Sequence, residues 1–233
     1  MSLNRFKISA ILMIATTLML IITNVQKSYA DNINPGVFPI DSKPYGLSYE
    51  EWTIKFWQWL LSIPADKNPI TDTTGKLCRQ NQNASLPVFF LAFSTGGGAA
   101  RTCDVPAGKA ILIPVNVVEC SFAELNVKTE EELHRCATED ESSNPQLFLS
   151  VDGREFKDLQ KYRAHSRAFD IGLPDNSVIQ ESGPTRAVSD GYWIILEPLS
   201  TGKHDIHFKA SLGDPTTGIL TYSDDLRYTI NIK

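Results

Sequence analysis

Gln146-Leu147-Phe148-Leu149-Ser150-Val151-Asp152-Gly153-Arg154-Glu155-Phe156 is where the sequence declares its fold. Leu147, Leu149 and Val151 alternate with Phe148, a period of two that puts successive side chains on opposite faces of a strand. Asp152-Gly153 is a two-residue hairpin signal, and Arg154 to Phe156 returns from it. Toward the C-terminus, Tyr192 to Leu196 is continuously apolar, as a central strand should be, and Pro198 to Gly202 reads as a turn. Ile206, Phe208 and Ala210 then alternate with Asp205, His207 and Lys209. Leu226, Tyr228, Ile230 and Ile232 alternate with Arg227, Thr229, Asn231 and Lys233. Toward the N-terminus, Leu86 to Phe93 and Ala110 to Val118 are apolar runs separated by Thr95-Gly96-Gly97-Gly98 and by turn chemistry at Val105-Pro106-Ala107-Gly108. Pro114 cannot donate to a ladder, so it predicts a bulge or an edge position. Strands at this spacing predict a mainly β domain, an antiparallel β-sandwich of jelly-roll or Ig-like type.

Two helices interrupt the strands. Ser48-Tyr49-Glu50-Glu51 is a capping box opening a helix from about Tyr49 to Ser62, and Pro64 stops it. Glu51, Lys55, Gln58 and Ser62 form one narrow polar stripe; Tyr49, Trp52, Phe56, Trp59, Leu60 and Ile63 cover the opposite side, widened by Ile54, Trp57 and Leu61. Three of the chain's four tryptophans lie here. They could form a stacking platform for sugars or a membrane contact, but so wide an apolar arc predicts a buried helix that plugs the core. Thr129-Glu130-Glu131-Glu132 is a second capping box, opening a short acidic helix through about Thr138. Its glutamates suit a helix N-terminus, and the alternating ligands and glycine turn of a calcium loop are missing.

The chain has 233 residues, of which 42% are hydrophobic and 21% charged, with a formal net charge of −5. That composition excludes a disordered tail, a collagen-like repeat and a multi-span membrane protein. Residues 1–30 carry Arg5, Lys7 and Lys27 and no acidic residue, so the remainder is more acidic than the whole. An acidic body argues against nucleic acid as a partner, since phosphate-backbone binding needs a basic face. Basic Met1–Lys7, apolar Ile8–Ile22 and Ser28-Tyr29-Ala30 form the pattern of a signal peptide over 1–30, cleaved after Ala30, leaving a single β-rich domain over 31–233. Retained uncleaved, the same run would be a membrane anchor. Either way the body is secreted or held at the cell surface.

The cysteines agree with export. Cys78, Cys103, Cys120 and Cys136 all follow the signal, and an even count in an exported chain reads as disulfides. Of three possible connectivities, the sequential pairing Cys78–Cys103 and Cys120–Cys136 closes short loops. Crossed pairings would need Cys103 and Cys120, at opposite ends of one extended run, to meet partners from the other unit. There is no C-x-x-C and no paired histidine spacing for zinc, and no metal or cofactor is expected. Asn83-Ala84-Ser85 is the one N-x-S/T sequon, a candidate for glycosylation.

No nucleophile elbow, zinc-protease helix, Walker loop or dinucleotide fingerprint occurs. His204 and His207 are three apart on a predicted strand, hence on opposite faces, with His204 in phase with the core residues Ile206 and Phe208. The polar residues that could form a binding site are Arg163, His165, Arg167, Asp170, Asp175, Arg186 and Asp190, spread over Tyr162–Gly191, which reads as a long loop segment. Ordinary ion pairing that pins the segment is the competing reading. A carboxylate pair for glycoside hydrolysis could be drawn from Asp170, Asp175, Glu181 and Asp190.

Glu51-Trp52, Phe56-Trp57-Gln58-Trp59, Ser62-Ile63-Pro64-Ala65-Asp66, Asn68-Pro69, Asp72-Thr73-Thr74-Gly75 with Cys78, and Arg101-Thr102-Cys103-Asp104-Val105-Pro106-Ala107-Gly108-Lys109-Ala110 resemble a family of uncharacterised exported bacterial and archaeal proteins. Asp190-Gly191-Tyr192-Trp193, Pro198-Leu199 and Gly202-Lys203-His204 fit the same family, so the resemblance covers most of the mature chain. It implies export, a Cys78–Cys103 pair and a β-rich C-terminal half, and it brings no activity or catalytic residues. The expectation is therefore a non-catalytic exported or cell-surface protein, binding or structural, whose partner is an extracellular ligand or cell-surface component. The alternative is an extracellular hydrolase acting on a polymer such as a polysaccharide.

Overall fold

The computed structural model describes residues 36–141, 145–213 and 220–233. The expected signal peptide over 1–30, with its expected cleavage point after Ala30, lies outside the described residues. The strands are β1 (Val88–Phe90), β2 (Ala99–Val105), β3 (Ala110–Ser121), β4 (Gln146–Val151), β5 (Arg154–Glu155), β6 (Phe169–Leu173), β7 (Gly183–Leu196), β8 (Gly202–Gly213) and β9 (Leu220–Ile232). The α-helices are α1 (Tyr49–Leu61) and α2 (Glu130–Glu141). The strands form a four-stranded sheet of order β1-β3-β7-β6 and a five-stranded sheet of order β2-β9-β8-β4-β5.

The fold is mainly β, as the alternation predicts, but both sheets are mixed rather than antiparallel. β1 pairs parallel with β3, and β2 pairs parallel with β9. The chain leaves the four-stranded sheet after Phe90, runs as β2 along the edge of the other sheet, and returns as β3 beside β1. Such a crossover makes β1 and β3 parallel, whereas a hairpin would make them antiparallel. β1 is also shorter than the apolar run Leu86–Phe93; Leu91 and Ala92 stay buried without continuing the strand.

Pro114 sits at a bulge, where the β3–β7 register shifts between Pro114 and Asn116. Nearby, Gly191 of β7 lies opposite Val117, and a Cβ there would stand 2.6 Å from the Asn116 carbonyl oxygen, so the two strands close up only because residue 191 is glycine. The Asp152-Gly153 turn forms with positive φ at both residues, 51° and 76°, as a two-residue hairpin of this kind requires.

The middles of β3 and β7 are buried on both faces: Ile111, Leu112 and Ile113 in β3 and Trp193, Ile194 and Ile195 in β7 are all inaccessible to solvent. β8 and β9 instead bury alternate residues, so the five-stranded sheet has one face inward and one outward. α1 covers the Ser189 and Trp193 face of β7. Its Phe56 ring lies 5.1 Å from that of Trp193, and the Trp57 indole donates to Ser189 Oγ at 2.7 Å. The Ser48–Glu51 capping box forms in both directions, and the helix's polar stripe is its solvent-facing side. Trp52, Trp57 and Trp59 are all buried, which settles the two readings of this helix in favour of the core. Their indole N–H groups are satisfied internally, by Pro44 O, Ser189 Oγ and Gln80 O.

Both disulfides form in the sequential pairing, Cys78–Cys103 and Cys120–Cys136. The first joins the loop after α1 to β2. The second fastens α2 to the end of β3, where Leu133 and Ala137 pack with Cys120 and Val188 in a small cluster of their own. Two disulfides fit an oxidising compartment. No described helix is long and apolar enough to cross a membrane. Gly36–Lys233 forms one compact unit.

Candidate functional site

The segment Tyr162–Gly191 is not one long loop: it contains β6 and the first half of β7, paired to each other from Phe169 to Leu173. Its charged residues are distributed along these elements rather than gathered. Asp190 is 3% exposed and receives Arg163 in a two-pronged pair, Nε to Oδ1 and Nη2 to Oδ2, each 2.9 Å. The Gly191 N–H donates to the same carboxylate at 2.7 Å. Together with the backbone bridge between Arg163 and Tyr192, this pins the incoming chain to β7. Arg167 binds Glu50 at the start of α1 through its backbone N–H, 3.0 Å, and its guanidinium, 3.4 Å. Arg186 reaches Glu130 at the start of α2, 2.9 Å, and stands 3.7 Å from Asp170. His165 and Asp175 are exposed. The ion-pairing reading therefore accounts for Arg163, Asp190, Arg167 and Arg186, and the seven residues do not form one site.

Two of them do meet in a cleft. Asp170 and Arg186 line an open depression of about 480 Å³ together with Glu181, Thr185, Pro184 and Phe122. Of the four carboxylates proposed for hydrolysis, Asp170 and Glu181 are at this cleft, Asp190 is committed to Arg163, and Asp175 is not in its wall. Asn83 is exposed on the loop before β1, its Oδ1 accepting from the Ser85 N–H at 2.9 Å, so the sequon is accessible.

The residues that sequence reasoning missed lie on the outward face of the five-stranded sheet. Register places Ser150, His207 and Arg227 in one row across β4, β8 and β9, and Phe148, Lys209 and Asp225 in the next. His207 Nε2 is 2.7 Å from Asp225 Oδ1, while Lys209 Nζ and Arg227 Nε each stand 3.9 Å from the same carboxylate. The Phe148 ring lies 5.0 Å from the His207 ring and 5.2 Å from Lys209 Nζ. A cleft of about 410 Å³ opens on one side of this cluster, bordered by Phe148, Lys209, Ser211, Ser223 and Asp225. Another of about 360 Å³ opens on the other, bordered by Ser150, Asp205, His207 and Arg227. Each residue sits at an alternate, outward position that the sequence marks, but their convergence depends on β8 lying between β4 and β9. Nothing local encodes that order.

His204 points to the opposite side of β8 from His207, as its phase predicts. It is held at the sheet end rather than deep in the core, with Nδ1 2.7 Å from Asp152 Oδ2 and Nε2 2.9 Å from Ser200 O. The Asp152 hydrogen bond holds its pKa above the usual histidine value. Elsewhere, burial and then the neighbouring Glu124 push the Glu119 carboxyl well above the usual carboxylate range. Among the described residues no group of three His, Cys, Asp or Glu is placed to hold a metal ion.

No family model and no curated protein sequence matches the chain. Among solved structures, a cysteine protease inhibitor from Entamoeba histolytica is similar over 63% of this chain and 96% of its own, at 12% identity and a TM-score of 0.24. The solution structure of amebosin is similar over 58% of this chain and 96% of its own, at 10% identity and a TM-score of 0.20. At this level of likeness neither transfers anything to this chain.

Proposed function

We propose that this is an exported, non-catalytic binding protein of the cell exterior, whose ligand lies against the outward face of the five-stranded sheet. The observation that carries the reading is the cluster of Phe148, His207, Lys209, Asp225 and Arg227 set between two clefts, while Arg163, Asp190, Arg167 and Arg186 are engaged in ion pairs between elements. An aromatic ring flanked by exposed hydrogen-bonding groups is the chemistry of a polar-ligand platform. Export rests on the signal-like residues 1–30, on the motifs shared with exported proteins and on the two disulfides. The accompanying fold reading is a β-sandwich: β3 lies beside β4 and β8, and inward residues of both sheets belong to one apolar cluster.

A glycan array probed with the secreted protein tests this. Binding is expected, and Phe148→Ala is expected to abolish it without lowering Tm by more than a few degrees. Binding that survives Phe148→Ala would move the site elsewhere. A second reading, hydrolysis of an extracellular polymer, is favoured by one observation, the shared cleft of Asp170 and Glu181. Release of reducing ends from a polysaccharide panel, lost in Glu181→Gln, would establish that reading and displace the first.

A further inference from the structure

We infer that the ligand of the outward face is an acidic polysaccharide, a polymer bearing carboxylates, and this rests on the binding-face reading above. Three cationic or protonatable side chains are aimed at one carboxylate. Asp225 hydrogen-bonds His207 at 2.7 Å, but Lys209 and Arg227 stand 3.9 Å away, beyond hydrogen-bond length. An ammonium carries three donors and a guanidinium five, so one carboxylate at that range does not saturate them. Both are accessible, with Lys209 44% and Arg227 64% exposed.

The ring beside it fixes the class of anion. Lys209 Nζ lies over the Phe148 ring, 5.2 Å from its centroid, so a sugar whose carboxylate pairs with that ammonium or with the Arg227 guanidinium would lie against the same ring. The two clefts lie on either side of the cluster, so an extended chain can pass from one to the other with a repeat unit over Phe148. That favours a polymer over a single acidic sugar. Asp225 occupies the position the ligand's carboxylate would share, so it restrains affinity.

Isothermal titration calorimetry with oligogalacturonate and oligomannuronate, and with fully methyl-esterified oligogalacturonate, separates the possibilities. Binding of an acidic oligomer is expected, weakening with salt, and lost on esterification. Lys209→Gln and Arg227→Gln should each weaken it by roughly ten-fold, the scale of one charged hydrogen bond, and Asp225→Asn should strengthen it. Equal binding of the ester, or neutral-glycan binding that depends on Phe148 with no acidic oligomer bound, overturns the acidic class and leaves the binding face standing. Acidic-oligomer binding untouched by Lys209→Gln and Arg227→Gln overturns both. Absence of binding to every probe here and on the array also overturns both.

Discussion

Glu119 lies on β3 opposite Ser189, with one carboxyl oxygen buried and unpartnered, and Glu124 close by on the following turn, where Ser121 Oγ donates to it at 2.7 Å. Burial, and next the like charge of Glu124, raise its pKa above the value it has in the unfolded chain. Between those two values the folded state binds more protons than the unfolded state, so stability is fully present below the unfolded pKa and falls as pH rises toward the folded one. Glu119→Gln keeps the shape and removes the titration. Its melting temperature should exceed that of the wild type at pH 7 by a few degrees, about 2–4 °C per kcal/mol for a domain of this size, and the gap should close by pH 4. Parallel melting curves from pH 4 to pH 8 would refute this. Arg101 shows the other way to bury charge. It is 3% exposed, yet its guanidinium donates to the carbonyls of Ile70, Asp72, Ala92 and Phe93 and to the Tyr228 hydroxyl. Arg101 shares an inward phase with Cys103 and Val105, which the sequence displays, but its partners come from three separate segments that it does not. Glu119 is similar: its place directly after the apolar run Ala110–Val118 is legible, and the carboxyl close to it is not.

Elements with strong local signals form where the sequence puts them. α1 begins at its capping box, the Asp152-Gly153 hairpin turns where glycine permits it, and β8 and β9 bury the residues their alternation selects. α2 is capped by Thr129 and Glu132 as read, and runs past Thr138 to Glu141. Pairing is what local pattern omits. A parallel partner is reached by crossing between sheets, and an apolar run reads the same whichever neighbour it meets. That is why the strands read as antiparallel from sequence although β1 and β2 each pair in parallel, and why the Phe148–His207–Asp225 cluster, built across three strands, is not visible there. α1 joins the two kinds of information, since its apolar arc is local but its indole partners are distant. Trp57 contacts Phe93 and Trp193 and donates to Ser189, 132 residues away. Trp57→Ala should therefore cost about 3–5 kcal/mol in urea unfolding, the range for a fully buried large aromatic. An unchanged unfolding midpoint would place the ring outside the core and revive the stacking platform.

At the scale of the molecule the two disulfides do different work despite nearly equal chain entropy. Their sequence separations are 25 and 16, and the loop-closure model gives each about 3 kcal/mol, with a difference of only about half a kcal/mol. The distinction lies in what each bond holds. Cys78 and Cys103 belong to the main apolar cluster, beside the loop that also supplies carbonyls to Arg101, so that bond ties the helix–loop unit to the edge of the five-stranded sheet. Cys120 and Cys136 hold α2 by a small satellite cluster whose buried members among the described residues are Cys120, Leu133, Ala137 and Val188. The half-exposed Arg186–Glu130 pair also reaches α2 from the sheet and contributes little on its own. Removing the second bond should thus release a local unit, while removing the first should weaken the whole. Cys120→Ala with Cys136→Ala is expected to speed amide hydrogen exchange across Glu130–Glu139 to near the unfolded rate, leaving β3, β7 and β8 protected. Cys78→Ala with Cys103→Ala should instead lower protection in both sheets together and reduce global stability by about 2–5 kcal/mol. If both pairs of substitutions lower protection uniformly, α2 is part of one cooperative core; if neither does, the packing around the cysteines already suffices without the bonds.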